Sequence, residues 1–573
     1  MDPLHPLQND FAADSSFEKK GITYSEDQII SERTIRGCVF INCVFEKRLH
    51  FENVDFGYGV KFIECKFDGL VGFSGCRVTN YDIEFNSQNQ SIELSNCEFS
   101  KTLSFVKGNH FDRDLLITSG SRIKRLIIKN IKIEKGSIKI IDSSISEFLD
   151  INDATASNDF RVSNANLEGW IRISNLSAGT YTFSENTCKA RVMIWSGSTK
   201  TGVIFNNGLY YDEIEIKALK CEGGLTIFGD TFKKSFNVIC YDPTNKIKGA
   251  PRLIDLKNCS FEGGFYLDGI LELPDRIPID GVKIEASSKL SGIIHIRGVV
   301  IQKSVLLSGV NKEANIVFEF CQIQKITIQR FSNHNQLQFI HITSTFQRGT
   351  EFRIEYSFLG STLFHGVSLD SFELFGITDS ILNEIYTASV KWFDPMTLIR
   401  KCSTSEEFSQ SRDLFRQLKF AMLKQGDRVQ ALFFKKYEML SLKNELRLTD
   451  GNLGEKIMML LNKSNDYGQK WIRPAFIGFA CTCILYIPLI ISTAPELTSQ
   501  VSLKWDDIIQ TLSVLPKYWY IIFKLLNPAH YYEKLVPNIR ENGFGLFLDY
   551  FQRIQIAYFI FQVVSAFRKY IKE

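Results

Sequence analysis

The sequence predicts a mainly β fold: a right-handed parallel β-helix of about 22 residues per coil, followed by an α-helical hairpin and two transmembrane helices. Three observations carry this reading. An apolar residue two places before a turn-forming residue returns every eleven residues, an amphipathic helical pattern opens at Ser403, and 19 consecutive residues from Pro474 to Ser492 carry no charge.

Composition sets the frame. The 573 residues are 44% hydrophobic with 67 Lys+Arg against 64 Asp+Glu, too apolar and too balanced for a disordered chain. Phenylalanine is frequent at 47, which favours flat stacked surfaces. Residues 383–573 hold 25 basic and 18 acidic residues, a balance of +7, which leaves 42 against 46, or −4, for residues 1–382. Neither part has the charge of a dedicated nucleic-acid binder, so nucleic acid is not an expected partner. The first 20 residues carry Asp2, Asp10 and Asp14 and no apolar run, unlike a secretory signal, and the 13 cysteines form no CxxC pair, as expected of a reducing compartment.

The repeat reads Phe40-Ile41-Asn42, Phe51-Glu52-Asn53, Phe62-Ile63-Glu64 and Phe73-Ser74-Gly75. After an irregular pass at Phe85-Asn86 it continues through Leu94, Phe105 and Leu116, then Ile151, Val162 and Ile173, and late in the region Ile296, Leu307 and Phe318. An eleven-residue period also suits a right-handed coiled coil. The alternation in Leu49-His50-Phe51 and Val60-Lys61-Phe62, with Asn and Gly at the turns, favours strands. At a strand spacing of about 4.8 Å, about 15 coils form a rod of about 70 Å. The beat lapses at Tyr241 to Pro251 and at Glu272 to Asp280, expected loops off the rod where a protein partner would be read.

The first coils resemble the pentapeptide-repeat family, through Cys38-Val39-Phe40, Cys43-Val44-Phe45, Cys65-Lys66-Phe67, Cys76-Arg77-Val78 and Cys97-Glu98-Phe99. Cysteines that recur at one repeat position read as an interior stack, and no histidine accompanies them as a metal site would need.

Beyond Gly376 the beat stops. Ser403-Thr404-Ser405-Glu406 fits a capping box, with Phe408, Leu414, Leu418 and Met422 at helical spacing up to Gly426, and Asp427 starts a second helix bearing Leu432, Phe433, Tyr437 and Leu440. Its charges read as a solvated helix face. The run from Arg416-Gln417-Leu418-Lys419 through Lys424-Gln425-Gly426-Asp427 to Tyr437-Glu438-Met439 resembles a segment of bacterial pentapeptide-repeat membrane proteins. That resemblance implies a rod joined to a C-terminal, ion-channel-like pair of membrane helices.

The uncharged run measures about 28 Å as a helix, enough for a bilayer core of about 30 Å. Trp471 and Arg473 anchor its start. A second span ends at Arg568 and Lys569 and contains Asp549 and Arg553, four residues apart on one helix face and the candidate intramembrane pore residues. Basic residues at the outer ends of both spans place the rod and both termini in the cytoplasm of a multi-pass inner-membrane protein. Residues 505–527, apolar but broken by Lys517, Lys524, Pro516 and Pro528, read as an interfacial or re-entrant segment. No TVGYG-like filter lies between the spans, since Gly57-Tyr58-Gly59 belongs to the repeat.

The resulting domains are 1–34, an N-terminal cap or leader; 35–382, the β-helix; 383–465, the helical linker; and 466–573, the membrane domain with spans at about 473–493 and 546–567. Acidic residues form no column along the repeat, the eight histidines have no metal spacing, and P-loop, GxGxxG and GxSxG motifs are absent, so neither an enzyme nor a cofactor is expected. The expected function is a membrane-anchored sensor or scaffold coupled to an oligomeric two-span pore, of use as a membrane-disrupting effector in bacterial antiphage defence. The alternative is a static tethered protein-binding scaffold. Expected partners are the lipid bilayer, further copies of the chain and a protein on the solenoid.

Overall fold

The computed structural model describes residues 16–78, 92–243, 247–271, 276–344, 348–382, 384–448, 453–468, 470–497, 509, 513–536 and 543–567. They form two units, Met1–Phe393 and Asp394–Glu573.

The first unit is a parallel β-solenoid of about 16 turns with about 22 residues per turn. Its strands fall into two sheets of 23 strands each among the described residues. One coil shows the construction. Gly37–Ile41 lies in one sheet, Val44–Phe45 and Leu49–Glu52 in the other, and Asp55–Phe56 returns to the first. The next coil pairs in register, Phe40 beside Phe62 and Phe51 beside Phe73. Ile35, Phe40, Phe45, Phe51, Phe56, Phe62, Phe67, Phe73 and Val78 are all buried, at steps of five or six residues. Stacking brings like onto like: the Phe40–Phe62, Phe45–Phe67 and Phe73–Phe105 rings lie 4.9–5.0 Å apart and within 11° of parallel. No coil can bury this side of itself, so each depends on its neighbours.

The turn residue that marks the beat is the backbone's left-handed position. Asn42, Asn53, Glu64, Asn96, Lys107, Ser119, Asn130, Asp142, Asp153, Asn164 and Asn175 all take φ between 48° and 62°. Asn and Asp tolerate that region better than other L-residues, which explains their return at each half-turn. Lys107 and Ser119 are twelve residues apart, so the strict eleven-residue step to Leu116 is one residue short. Leu115 and Ile117 are buried and Leu116 is half-exposed. Cys43, Cys65, Cys76 and Cys97 are free and buried, as an interior stack requires. Burial pushes the Cys76 thiol up to about 11.

The strands extend past the 35–382 range. Ser16–Lys20 pairs with Gly37–Ile41, and Glu384–Ala388 closes on Ser361–His365. Phe85-Asn86 and Pro274 lie outside the described residues. Tyr241–Asp242 and Ile247–Lys248 form an antiparallel hairpin off the stack, as the lapse there predicts. The second lapse is shorter than expected: Ile277–Ala286 is a strand, with Pro278 paired only to Val300 on the following coil. A residue without an N–H is tolerated where one side has no partner.

The second unit is helical: α1 (Pro395–Lys401), α2 (Ser405–Lys424), α3 (Arg428–Leu448), α4 (Leu453–Asn462), α5 (Ile472–Thr493), α6 (Ile521–Leu525) and α7 (Gly543–Phe567). The α2 capping box is Thr404 with Glu407, one residue later than Ser403 with Glu406: the Glu407 N–H donates to the Thr404 hydroxyl and the Thr404 N–H donates back to the Glu407 carboxylate. Phe408, Leu414, Leu418 and Met422 are buried as expected. On α3 the buried positions are Ala431, Phe434, Glu438 and Ser441, not Leu432, Phe433, Tyr437 and Leu440. Polar contacts set that rotation: Lys419 Nζ lies 2.7 Å from Glu438, and the Ser411 and Ser441 hydroxyls meet at 3.1 Å.

Candidate functional site

Among the described residues, α5 is the one helix long and apolar enough to cross a membrane. The second span expected over 546–567 forms as α7, but Asp549, Arg553 and three glutamines keep it from meeting the same criterion. The two helices pack directly. Gly478 makes the close approach possible, since a Cβ there would stand 3.0 Å from Phe559.

Along the α5 side of α7 runs a seam of polar groups. Gln562 bonds Asn465, Gln555 Nε2 donates to Gly478 O (3.3 Å), and Gln552 Nε2 donates to Thr482 Oγ1 (2.8 Å). The seam ends at Asp549. From 549 to 562 it covers about 20 Å of helix rise. Gln552 Oε1 and Gln555 Oε1 are buried and accept nothing among the described residues.

Asp549 and Arg553 come together as their spacing requires, with Oδ2 2.6 Å from the guanidinium. Asp549 is fully buried, while Arg553 is partly exposed and lies over the Tyr550 ring. A third member was not singled out by sequence. His530, in the loop after α6, lies with Nε2 2.5 Å from Asp549 Oδ1 and Nδ1 2.6 Å from Asn527 O. A carbonyl oxygen only accepts, so Nδ1 carries a hydrogen. The bond to Asp549 needs a second proton, on Nε2 or on the carboxyl. The signal that could have found His530 is a titratable residue beside Pro528 in an apolar connection.

The outer side of this unit is apolar. Phe476 is 71% exposed, Ile484 67%, Ile554 70% and Phe547 63%, and Trp519 and Phe523 project from the segment between the helices. Of the expected interfacial segment 505–527, residues 505–508 and 510–512 lie outside the described residues. The rest includes helical residues at 509, 513 and 514, a 3-10 turn, Leu515–Tyr518, and α6, with Ile521 and Leu525 buried in a cluster with α5 residues such as Leu489 and Ile490. Among the anchors, Trp471 stacks on Phe567 with centroids 5.0 Å apart and Arg473 is exposed. Arg568 and Lys569 lie outside the described residues.

In the solenoid one charged cluster is buried: Asp150 is gripped by two nitrogens of Arg172 at 2.9 Å and by Lys129 at 3.0 Å. It ties three successive coils together and reads as structural. Among the described residues no three His, Cys, Asp or Glu side chains converge to hold a metal. Comparison of the chain with protein-family models, with curated proteins and with solved structures finds no match.

Proposed function

We propose that the chain is a membrane-anchored solenoid scaffold whose rod senses a protein partner in the cytoplasm, and whose α5 and α7 both cross the inner membrane and assemble with other copies into a pore. One observation carries this reading. The α5–α7 pair hides Asp549, Gln552 and Thr482 and shows Phe476, Ile484 and Ile554 to its surroundings, an arrangement stable in lipid and costly in water. A charged cluster at that depth is costly, so it marks function before structure. Gln552 and Gln555 each keep a buried acceptor without a partner among the described residues, polar capacity inside the helix pair that packing alone does not need. A protein of this kind would disrupt the membrane when the rod meets its signal, as an antiphage effector does.

A static tether is the second reading, and one feature favours it: Asp549 is ion-paired with Arg553 and meets His530 within its own chain. Two measurements separate them. Replacing residues 471–573 with an unrelated two-span anchor removes depolarisation on induced expression if the native helices form the pore. The paired change Asp549→Leu with Arg553→Leu preserves membrane insertion, because apolar replacement of a buried ion pair is often neutral or stabilising, yet abolishes depolarisation. If the intact chain and its native neighbours never alter membrane potential, the tether stands and the pore is refuted.

A further inference from the structure

A cavity of about 410 Å³ opens between the α2–α3 hairpin and the C-terminal turn of α7, where Ser565 closes one side. Its wall is divided by chemistry. Phe420, Leu423 and Leu432 form an apolar floor, and Phe420 and Leu423 stay about half exposed. Lys419, Arg428 and Lys435 supply the charge. Lys419 is already held by Glu438, whereas Lys435 is exposed and has no acidic partner among the described residues. The hairpin from 405 to 448 carries nine basic and six acidic residues, a balance of +3.

Beside Ser565, Phe561 and Val564 are exposed on α7, on the surface read above as lipid-facing. The cavity therefore joins an apolar floor to a cationic rim at the end of a membrane helix. We propose that it binds an anionic phospholipid, with the headgroup phosphate on Lys435 and Arg428 and the upper acyl chain on Phe420, Leu423 and Leu432. Basic pockets at the cytoplasmic ends of membrane helices suit such headgroups. This rests on the membrane reading, and it makes the α2–α3 hairpin the part of the molecule that recognises bilayer composition.

The test uses the full chain, delipidated in a neutral detergent, and reads thermal unfolding with added short-chain phosphatidylglycerol, phosphatidylcholine or inorganic phosphate. Phosphatidylglycerol at 100 times its dissociation constant is expected to raise Tm by at least about 5 °C, with no shift from the other two. Lys435→Glu, an exposed substitution that leaves the fold intact, removes the shift, and Lys435→Arg retains it. An equal shift with phosphatidylcholine means only that apolar volume is filled, and an equal shift with phosphate means a free anion site; either overturns the proposal, as does a shift unchanged by Lys435→Glu. Alkaline carbonate extraction of cell membranes is run beside it. A chain that resists extraction but ignores phosphatidylglycerol refutes the lipid site alone, and a chain released by carbonate refutes the membrane reading beneath it.

Discussion

The solenoid and the α5–α7 pair solve the same packing problem in opposite senses. Around Phe62 the rod stacks rings against rings, and its outward columns carry Lys61–Glu93, Lys124–Glu147 and Lys257–Glu285 ion pairs at 2.9–3.0 Å. Around Asp549 the helices stack amides and charges against one another, and the outward residues are Phe, Ile and Tyr. On the proposed membrane reading, each arrangement minimises the contact its surroundings would penalise: apolar surface in water for the rod, polar groups in hydrocarbon for the helix pair. If the proposal holds, what decides inside from outside is the solvent each segment meets, and one chain displays both answers.

Reciprocal charge insertion breaks this comparison most severely. Phe62→Asp removes a buried ring and leaves a carboxylate with no partner among stacked phenylalanines, a loss above about 5 kcal/mol that prevents the rod from folding. Ile484→Asp, on a side chain 67% exposed, would cost within about 0.5 kcal/mol on a helix in water. In a bilayer it costs about 3 kcal/mol of insertion. Carbonate extraction of the Ile484→Asp protein decides between the two, and full membrane retention would remove the distinction drawn here.

The two regions also differ in how they hold a buried acid, which sharpens the comparison through pH. Asp230 in the rod accepts from the Gly208 N–H at 2.6 Å, but its Oδ2 has no partner among the described residues. Burial pushes its carboxyl up to about 7, with Tyr210 and Cys259 as its titratable neighbours. The folded value lies above the unfolded value of about 3.9, so between those values the folded rod binds more protons than the unfolded chain. Stability therefore falls as pH rises through that window, by up to about 1.4 kcal/mol per unit, and levels off above it. Asp230→Asn keeps the Gly208 bond, removes the slope and stabilises the rod at pH 8. Urea unfolding followed by the β-sheet circular dichroism checks this, and an unchanged slope in the variant would refute it.

How much of this was legible depended on whether a single residue type carried the information. The rod was legible because Phe at the core and Asn at the left-handed turn each had to return in every half-coil. The step to Leu116 failed where a half-turn took twelve residues, since a period reports only the average. The ends of the rod were missed because Ser16–Lys20 and Glu384–Ala388 each pair with a coil on one side only among the described residues and carry a weaker apolar alternation. Asp549 and Arg553 were legible as a pair because helical spacing is local. His530 was not, because it reaches Asp549 through the fold of the α6 loop. The rotation of α3 was hidden for the same reason: Glu438 and Ser441 are buried by partners on α2, which no pattern within α3 declares.

The smallest expected effect isolates the turn residue itself. Asn175 holds φ at 51° and its Nδ2 donates to Asp153 Oδ1, one coil earlier, at 2.9 Å. Asn175→Ala loses the bond and forces a side chain into the left-handed region, costing about 1–2 kcal/mol. Asn175→Gly loses the same bond but accepts the backbone freely, so it should cost less than the alanine variant. Because the bond is exposed, most of the alanine penalty is conformational, and the two variants differ chiefly by that term. Equal losses in urea unfolding would mean that the side-chain bond, rather than φ, sets Asn at the turns. A larger loss for alanine would make the eleven-residue beat a record of backbone geometry, a constraint that the α5–α7 pair, with no left-handed position among its described helical residues, does not share.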